Sequence, residues 1–291
     1  GAGSYLRSGT NQSVLDTLDT VAASGRFTVS EGRDFSMSNR GLTVDGEFVV
    51  GSGSTFVAQA FNLGGSGAVR VGDGGLFVWS GASLRSPGLL QPEAGGVLRI
   101  TGGNDHDMDQ RRLVNDGTVV WEGGSIRGGG GSGIENNGLW LDQLAGNAEF
   151  NRAYGGANGG WVNNGTYRKT TGVITTFNQS LSNRNLIEVQ AGVLRLSSST
   201  VHETGSRIEV VDGALLELRA DHTFQDGVHL DGPVKLYGGA GISGHLFATD
   251  FEIGSGSSRN SRSRPSTRSI VAALCAQSAG SSRPVRISSP W

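Results

Sequence analysis

The sequence predicts an all-β fold: a single-stranded parallel β-solenoid, a right-handed β-helix by preference, with about 21 residues per coil. Three observations predict it. Residues fall into columns when the chain is offset by 21. Apolar residues alternate with polar ones inside each repeat. Glycine, at 49 of 291 residues, is far above its usual share.

The columns run from Gly25 to about Ile100. Gly25, Gly46, Gly67 and Gly88 coincide, followed by Phe27, Phe48, Val69 and Leu90, then by Val29, Val50 and Val71, with Pro92 breaking that column. A second glycine column holds Gly32, Gly53, Gly74 and Gly95. Phe35, Phe56, Phe77 and Leu98 form an aromatic-to-aliphatic column, and Leu42, Leu63 and Leu84 another. In Gly46-Glu47-Phe48-Val49-Val50, Phe48 and Val50 share one strand face. One coil cannot bury that face alone, but stacked coils can, and each buried Phe, Val or Leu then contributes about 1.5–3 kcal/mol. That offsets the cost of about 0.5–1 kcal/mol for each glycine held in a regular element. The right hand follows from the twist of parallel crossovers, not from the residues.

After Ile100 the register breaks. Thr101 to Arg112 is too polar for a coil wall and reads as an excursion loop. The repeat resumes with an apolar residue before Asn-x-Gly, at Val114 to Gly117, Ile134 to Gly138 and Val162 to Gly165. Asn and Gly both tolerate left-handed backbone, which suits a corner. The spacing from Gly138 to Gly165 is 27, so Ala145 to Gly160 should carry a bulge. Ile187-Glu188-Val189 and Ile208-Glu209-Val210 restore the offset of 21, with Leu194 set against Leu215 and Leu236 continuing that column. The reading is thus a lead-in over 1–24, a solenoid over 25–253 and a Ser/Arg-rich tail over 254–291.

Net charge is −2, which favours neither nucleic acid nor an anionic membrane. The tail from Ser255 holds six Arg and no acid, leaving 18 basic against 26 acidic residues before it. It reads as a basic arm, or as a disordered linker or sequence foreign to the repeat; the second reading is preferred. With Cys275 alone no intrachain disulfide forms. No apolar window is long enough for a transmembrane helix. The chain starts Gly1-Ala2-Gly3 without Met or signal peptide, which reads as a piece of something longer.

The stretch from Trp161-Val162-Asn163-Asn164-Gly165-Thr166-Tyr167-Arg168-Lys169 to Leu196 resembles repeat units of bacterial surface and secreted proteins, the adhesin-like and autotransporter-passenger-like β-helix proteins. Thr170, Thr171, Thr175 and Thr176 supply a Thr-rich strand, and Ile187-Glu188-Val189 with Gly192-Val193-Leu194 the following motif. Asn183-Arg184-Asn185 departs from the second Asn-x-Gly. The match is close over Trp161 to Leu218 and looser back to Gly25. The resemblance implies the solenoid architecture and carries no catalytic residue.

The densest polar cluster is Asp105, His106, Asp107 and Asp109, whose carboxylates and imidazole are metal-ligand types. A solvated loop is the preferred reading, and no cofactor is expected. A polysaccharide-cleaving β-helix would need paired carboxylates. Candidates are Asp212, Asp221, Asp226 and Asp231, with His222 and His229 nearby. Trp79, Trp121, Trp140 and Trp161 suit either a sugar-binding face or the coil interior, with the interior preferred. Gly128 to Gly131 lacks the Lys-Ser/Thr of a phosphate loop.

The expectation is therefore a noncatalytic structural or adhesive segment of a bacterial cell-surface or secreted protein. Its partners would be host-cell, matrix or glycan surfaces, with no nucleic acid. A bare coil end predicts end-to-end self-association. The alternative is a module that binds or degrades polysaccharide.

Overall fold

The computed structural model describes residues 17–157 and 159–254. Expectations for residues 1–16 and for the tail beyond Gly254 lie outside the described residues. The chain is all-β, a parallel β-solenoid of about 11 turns spaced about 21 residues apart. No helix among the described residues is long and apolar enough to cross a membrane. The chain divides into two compact units, residues 1–160 and 161–291.

In the first unit each turn has three short strands, one on each of three faces. The first face stacks Arg26–Val29, Glu47–Val50, Ala68–Val71, Leu89–Pro92, Arg112–Asn115 and Gly133–Asn136. The second stacks Phe35–Ser38, Thr55–Gln59, Leu76–Ser80, Val97–Ile100, Thr118–Trp121 and Leu139–Asp142. The third stacks Thr20–Val21, Gly41–Val44, Asn62–Gly64, Ser83–Arg85, His106–Asp109, Ile126–Arg127 and Ala148–Asn151. All these pairings are parallel, and Thr20–Val21 is the first wall strand among the described residues.

The columns read from the sequence are the register of these ladders. Phe35, Phe56, Phe77 and Leu98 pair in turn, and Val119 and Trp140 extend the same inward row. The Phe56 ring meets Phe48 and Phe77 edge-on at 4.9 and 5.1 Å, a favoured aromatic geometry. Pro92 does not break its column. It pairs with Val71 and is buried, and its carbonyl takes the amides of Asp116 and Gly117.

The two glycine columns serve different ends. Gly32, Gly53, Gly74 and Gly95 have φ of 74°, 68°, 66° and 81°, which disfavours a side chain. Gly46 and Gly67 lie outside that region; a Cβ on either would be driven into the carbonyl oxygen of the glycine one turn earlier. Here the absence of a side chain lets successive turns approach.

Asn115 and Asn136 correct a second expectation. Neither has positive φ. Both are buried and paired across the first face. Asn115 Nδ2 donates to Asn136 Oδ1 at 2.7 Å and to the Leu139 carbonyl at 3.0 Å. The side chain supports a corner of only Asp116-Gly117, where the earlier turn used Gly72 to Gly75. In the second unit Asn163 repeats the arrangement, donating to Asn183 Oδ1 and to the Leu186 carbonyl, each at 2.9 Å.

The stretch Thr101 to Arg112 is not an excursion. His106–Asp109 is a wall strand between Ser83–Arg85 and Ile126–Arg127. His106 and Met108 point inward and are buried, while Asp109 alternates to the outside. Its polarity misleads because a wall strand needs only its inward residues to suit the core. The register slips because Ser83 pairs with Asp107, 24 residues on, and Leu89 with Arg112, 23 residues on; Val97 to Thr118 then restores 21. The bulge expected over Ala145 to Gly160 lies in its second part, since Ala148–Asn151 is itself a wall strand.

The second unit repeats the three faces. Its first face stacks Trp161–Asn163, Leu181–Asn183, Thr200–His202, His222–Phe224 and Ala240–Ile242. Its second holds Thr166–Lys169, Leu186–Val189 and Arg207–Val210, and its third Ile174–Phe177, Val193–Leu196 and Leu215–Leu218. The nine-residue strand Val228–Leu236 pairs with both of these faces and then with Leu246–Ile253. Ile187 pairs with Ile208 as expected. Leu194, however, pairs with Leu216 rather than Leu215, and Leu236 continues Leu218. The corner Val211 to Ala214 is one residue longer than Gln190 to Gly192, which shifts that face.

Candidate functional site

On the third face of the first unit, strand alternation turns Asp107 outward between two paired neighbours, Ser83 on one side and Arg127 on the other. Arg127 Nε donates to Asp107 Oδ1 at 2.7 Å, and its Nη1 lies 3.0 Å from Asp105 Oδ2. Ser83 Oγ donates to Asp107 Oδ2 at 3.3 Å. The fourth member is Tyr154, whose hydroxyl donates to the same Oδ2. The Arg127 guanidinium carbon lies 5.9 Å from the Tyr154 ring centre.

Tyr154 comes from the insertion that lengthens this turn. The glycine run at 128–131 receives it: a Cβ on Gly129 would be driven into the Tyr154 side chain. The amide of Tyr154 donates to the Gly128 carbonyl at 3.1 Å, and the Gly130 amide to the Gly155 carbonyl at 2.9 Å. The insertion is therefore tied to the wall by backbone bonds, and Tyr154 stays 39% exposed, one of few large apolar residues so placed.

Burial works against ionising Asp107, but the hydrogen bonds from Arg127, Tyr154 and Ser83 outweigh it and hold the carboxyl below its ordinary range. Burial and the bond to Asp107 raise the Tyr154 phenol. The bond to Asp107 raises Arg127. At neutral pH the cluster is thus a fixed pattern of carboxylate, guanidinium and neutral phenol. It can accept and donate hydrogen bonds and stack a ring, but none of these three groups is poised to exchange a proton near pH 7.

The expected metal-ligand set does not converge. Asp107 and Asp105 share Arg127, whereas His106 faces the interior. His106 Nε2 lies 3.1 Å from the Trp79 carbonyl and 3.0 Å from that of Thr101, so it carries the proton. Asp109 lies at the far end of the strand, its carboxylate close to Gly130. Among the described residues no three His, Cys, Asp or Glu side chains gather as a metal site. Next in the chain, Arg111 is buried with no carboxylate. Its guanidinium bonds the carbonyls of Gly64, Gly65, Arg85 and Leu89 at 2.9–3.3 Å, and burial lowers its pKa to about 10.

The carboxylates of the second unit are dispersed. Asp221, Asp226 and Asp212 occupy three different corners of the coil. Asp226 bonds the amide and ring of His245, and Asp231 lies 3.4 Å from Arg207. His222 faces inward, stacked with His202 and Phe224, while His229 stacks on Phe247 at 4.6 Å. Trp79, Trp121, Trp140 and Trp161 are all interior. Trp79 and Trp121 donate their indole N–H to the carbonyls of Ala82 and Gly124.

Sequence reasoning found Asp105 and Asp107 but missed Ser83, Arg127 and Tyr154. Ser83 and Arg127 are the strand partners of Asp107 once the shifted register is known. Comparison of the chain with protein-family models, with curated proteins and with solved structures finds no match.

Proposed function

We propose that this chain is a noncatalytic structural and adhesive solenoid segment of a bacterial cell-surface or secreted protein, acting on host-cell, matrix or glycan surfaces. The observation that carries this reading is the contrast between the coil walls and the insertion. Outer positions of the first face satisfy one another: Arg26 and Arg70 both pair with Glu47, Arg70 also with Glu93 and Gln91, and Arg112 with Glu135. Such exposed ladders hold register and add little affinity for anything else. Where the repeat is interrupted, Tyr154 stands exposed over Asp105, Asp107 and Arg127. An aromatic ring beside paired hydrogen-bonding groups is contact chemistry. The resemblance of Trp161 to Leu218 to adhesin-like repeats supports the setting.

The alternative, a polysaccharide-binding or polysaccharide-degrading module, draws on the same Tyr154 and Asp107. The two readings separate in one experiment. The purified chain is offered to cultured cells, matrix proteins and a panel of neutral and acidic glycans, with binding and release of reducing ends both measured. Saturable adhesion weakened by Tyr154→Ala, without bond cleavage, is the expected result. Turnover of any glycan abolished by Asp107→Asn would overturn the noncatalytic reading.

A further inference from the structure

We propose that Arg195, on the third face of the second unit, and Arg219, in the corner directly after that face's strand Leu215–Leu218, form an anion-binding site that takes the carboxylate or sulfate groups of an extended acidic polysaccharide. The two guanidiniums are drawn together by one carboxylate. Arg195 Nε donates to Glu217 Oε2 at 2.6 Å, and Arg219 Nε donates to the same oxygen at 2.9 Å. Glu217 stands on the wall strand Leu215–Leu218 and is only 7% exposed, so it is a fixed anchor. Burial opposes its charge, but the bonds from Arg219 and Arg195 hold it ionised.

This arrangement leaves two positive charges on one negative. Each guanidinium spends only its Nε, so the terminal amino groups, which make the bidentate fork with an oxyanion, have no hydrogen-bond acceptor among the described residues. The side chains remain 27% and 42% exposed. A third cation extends the patch: Lys235 pairs across the ladder with Glu217 and forms an ion pair with Glu252 at 2.9 Å. The Tyr237 ring lies against both, with the Arg219 guanidinium carbon 4.9 Å and Lys235 Nζ 5.6 Å from its centre. Arg207, on the neighbouring face, shows the opposite balance, with one guanidinium between Glu209 and Asp231. A repeating acidic polymer suits the site because two forks tethered to one wall carboxylate, Glu217, meet oxyanions at fixed spacing. A nucleic acid would need a longer basic stripe than a face also carrying Glu217 and Glu252 provides.

The site rests on the adhesive reading only for the identity of its ligand. The test titrates the chain with polygalacturonate, dextran sulfate, uncharged dextran and single-stranded DNA at low and moderate salt. Arg195→Gln/Arg219→Gln is compared with Arg207→Gln, and thermal unfolding confirms that each variant is folded. The expected result is binding of a charged polysaccharide that weakens with salt, loses about 10-fold or more in the double variant and is unchanged in Arg207→Gln. Arg195→Lys/Arg219→Lys, which keeps the charge and loses the fork, should fall between. Equal affinity of the double variant and the wild type, absence of binding to either acidic polysaccharide, or a preference for DNA would overturn the proposal. Cell adhesion combined with polymer affinity that the double variant keeps in full would remove this site and leave the adhesive reading standing. Polymer binding without any adhesion would do the reverse.

Discussion

The side-chain amide of Asn115 donates to that of Asn136 at 2.7 Å, one turn of the solenoid away and out of contact with solvent. The same amide donates to the Leu139 carbonyl at 3.0 Å. A polar ladder thus runs down the interior beside an apolar one, and it adds side-chain bonds at a corner whose amides, Asp116 and Gly117, bond the Pro92 carbonyl. Asn115→Ala leaves that carbonyl and the Asn136 oxygen short of a donor. A cost of about 1–3 kcal/mol is expected. Thermal unfolding followed by circular dichroism should show a clear fall in midpoint, and an unchanged midpoint would mean that the ladder contributes nothing.

The glycine columns give a sharper contrast. Gly138 faces the carbonyl oxygen of Gly117, whereas Gly103 has nothing within 4 Å. Gly138→Ala should cost more than about 3 kcal/mol, or prevent folding, because two wall turns must separate. Gly103→Ala should stay within about 0.5 kcal/mol of the parent. Urea midpoints of the two variants, measured together, test the steric reading; similar losses at both positions would refute it.

His202 and His222 stack on Phe224 inside the second unit, the ring centres of His202 and Phe224 being 4.8 Å apart. Neither ring nitrogen of His202 has a hydrogen-bond partner. Burial, with the nearby His222, pushes the His202 pKa down to about 3, and burial pushes His222 down to about 4 against the weaker pull of the Leu196 backbone and Asp221. A histidine near 6.5 in the unfolded chain takes up its proton there first. Stability is therefore full above about pH 6.5 and falls as pH drops toward 4, by about 1.4 kcal/mol per pH unit for each histidine. His106, lowered by burial, works in the same direction. Urea midpoints at pH 7.5 and 5.0 should differ in the parent and differ much less in His202→Phe/His222→Phe. An equal slope in that variant would assign the acid sensitivity elsewhere.

The period and the inward rows were legible because both are local and repeat: Phe35, Phe56 and Phe77 need only a constant offset to be found. What the sequence hid had two causes. Register slips come from one to three added residues, as where Ser83 meets Asp107 or where the longer corner ending at Ala214 sets Leu194 against Leu216. The second cause is that inward positions are not always apolar. His106 and Arg111 fill the core with carbonyl partners, so a composition test rejects a stretch that the wall accepts. The candidate site was half visible. Asp105 and Asp107 stand out as charges, but Tyr154 reaches Asp107 across 47 residues, through an insertion that no period describes.

That reach supplies the last test. The insertion is held to the wall by backbone bonds at Gly128 and Gly130 and by the Tyr154 hydroxyl on Asp107. Removing the hydroxyl deletes one charge-assisted bond, worth about 1.5–3 kcal/mol, while the core stays intact. The loss should therefore appear as local opening, not as a lower global midpoint. Arg152, exposed at the start of the insertion, is a ready reporter. In Tyr154→Phe, tryptic cleavage after Arg152 should quicken by about 10-fold at an unchanged unfolding midpoint, and Asp107→Asn should show the same direction. Cleavage at the parental rate in both variants would mean that the backbone bonds alone hold the insertion. Tyr154 would then be free to turn toward a ligand without cost to the fold.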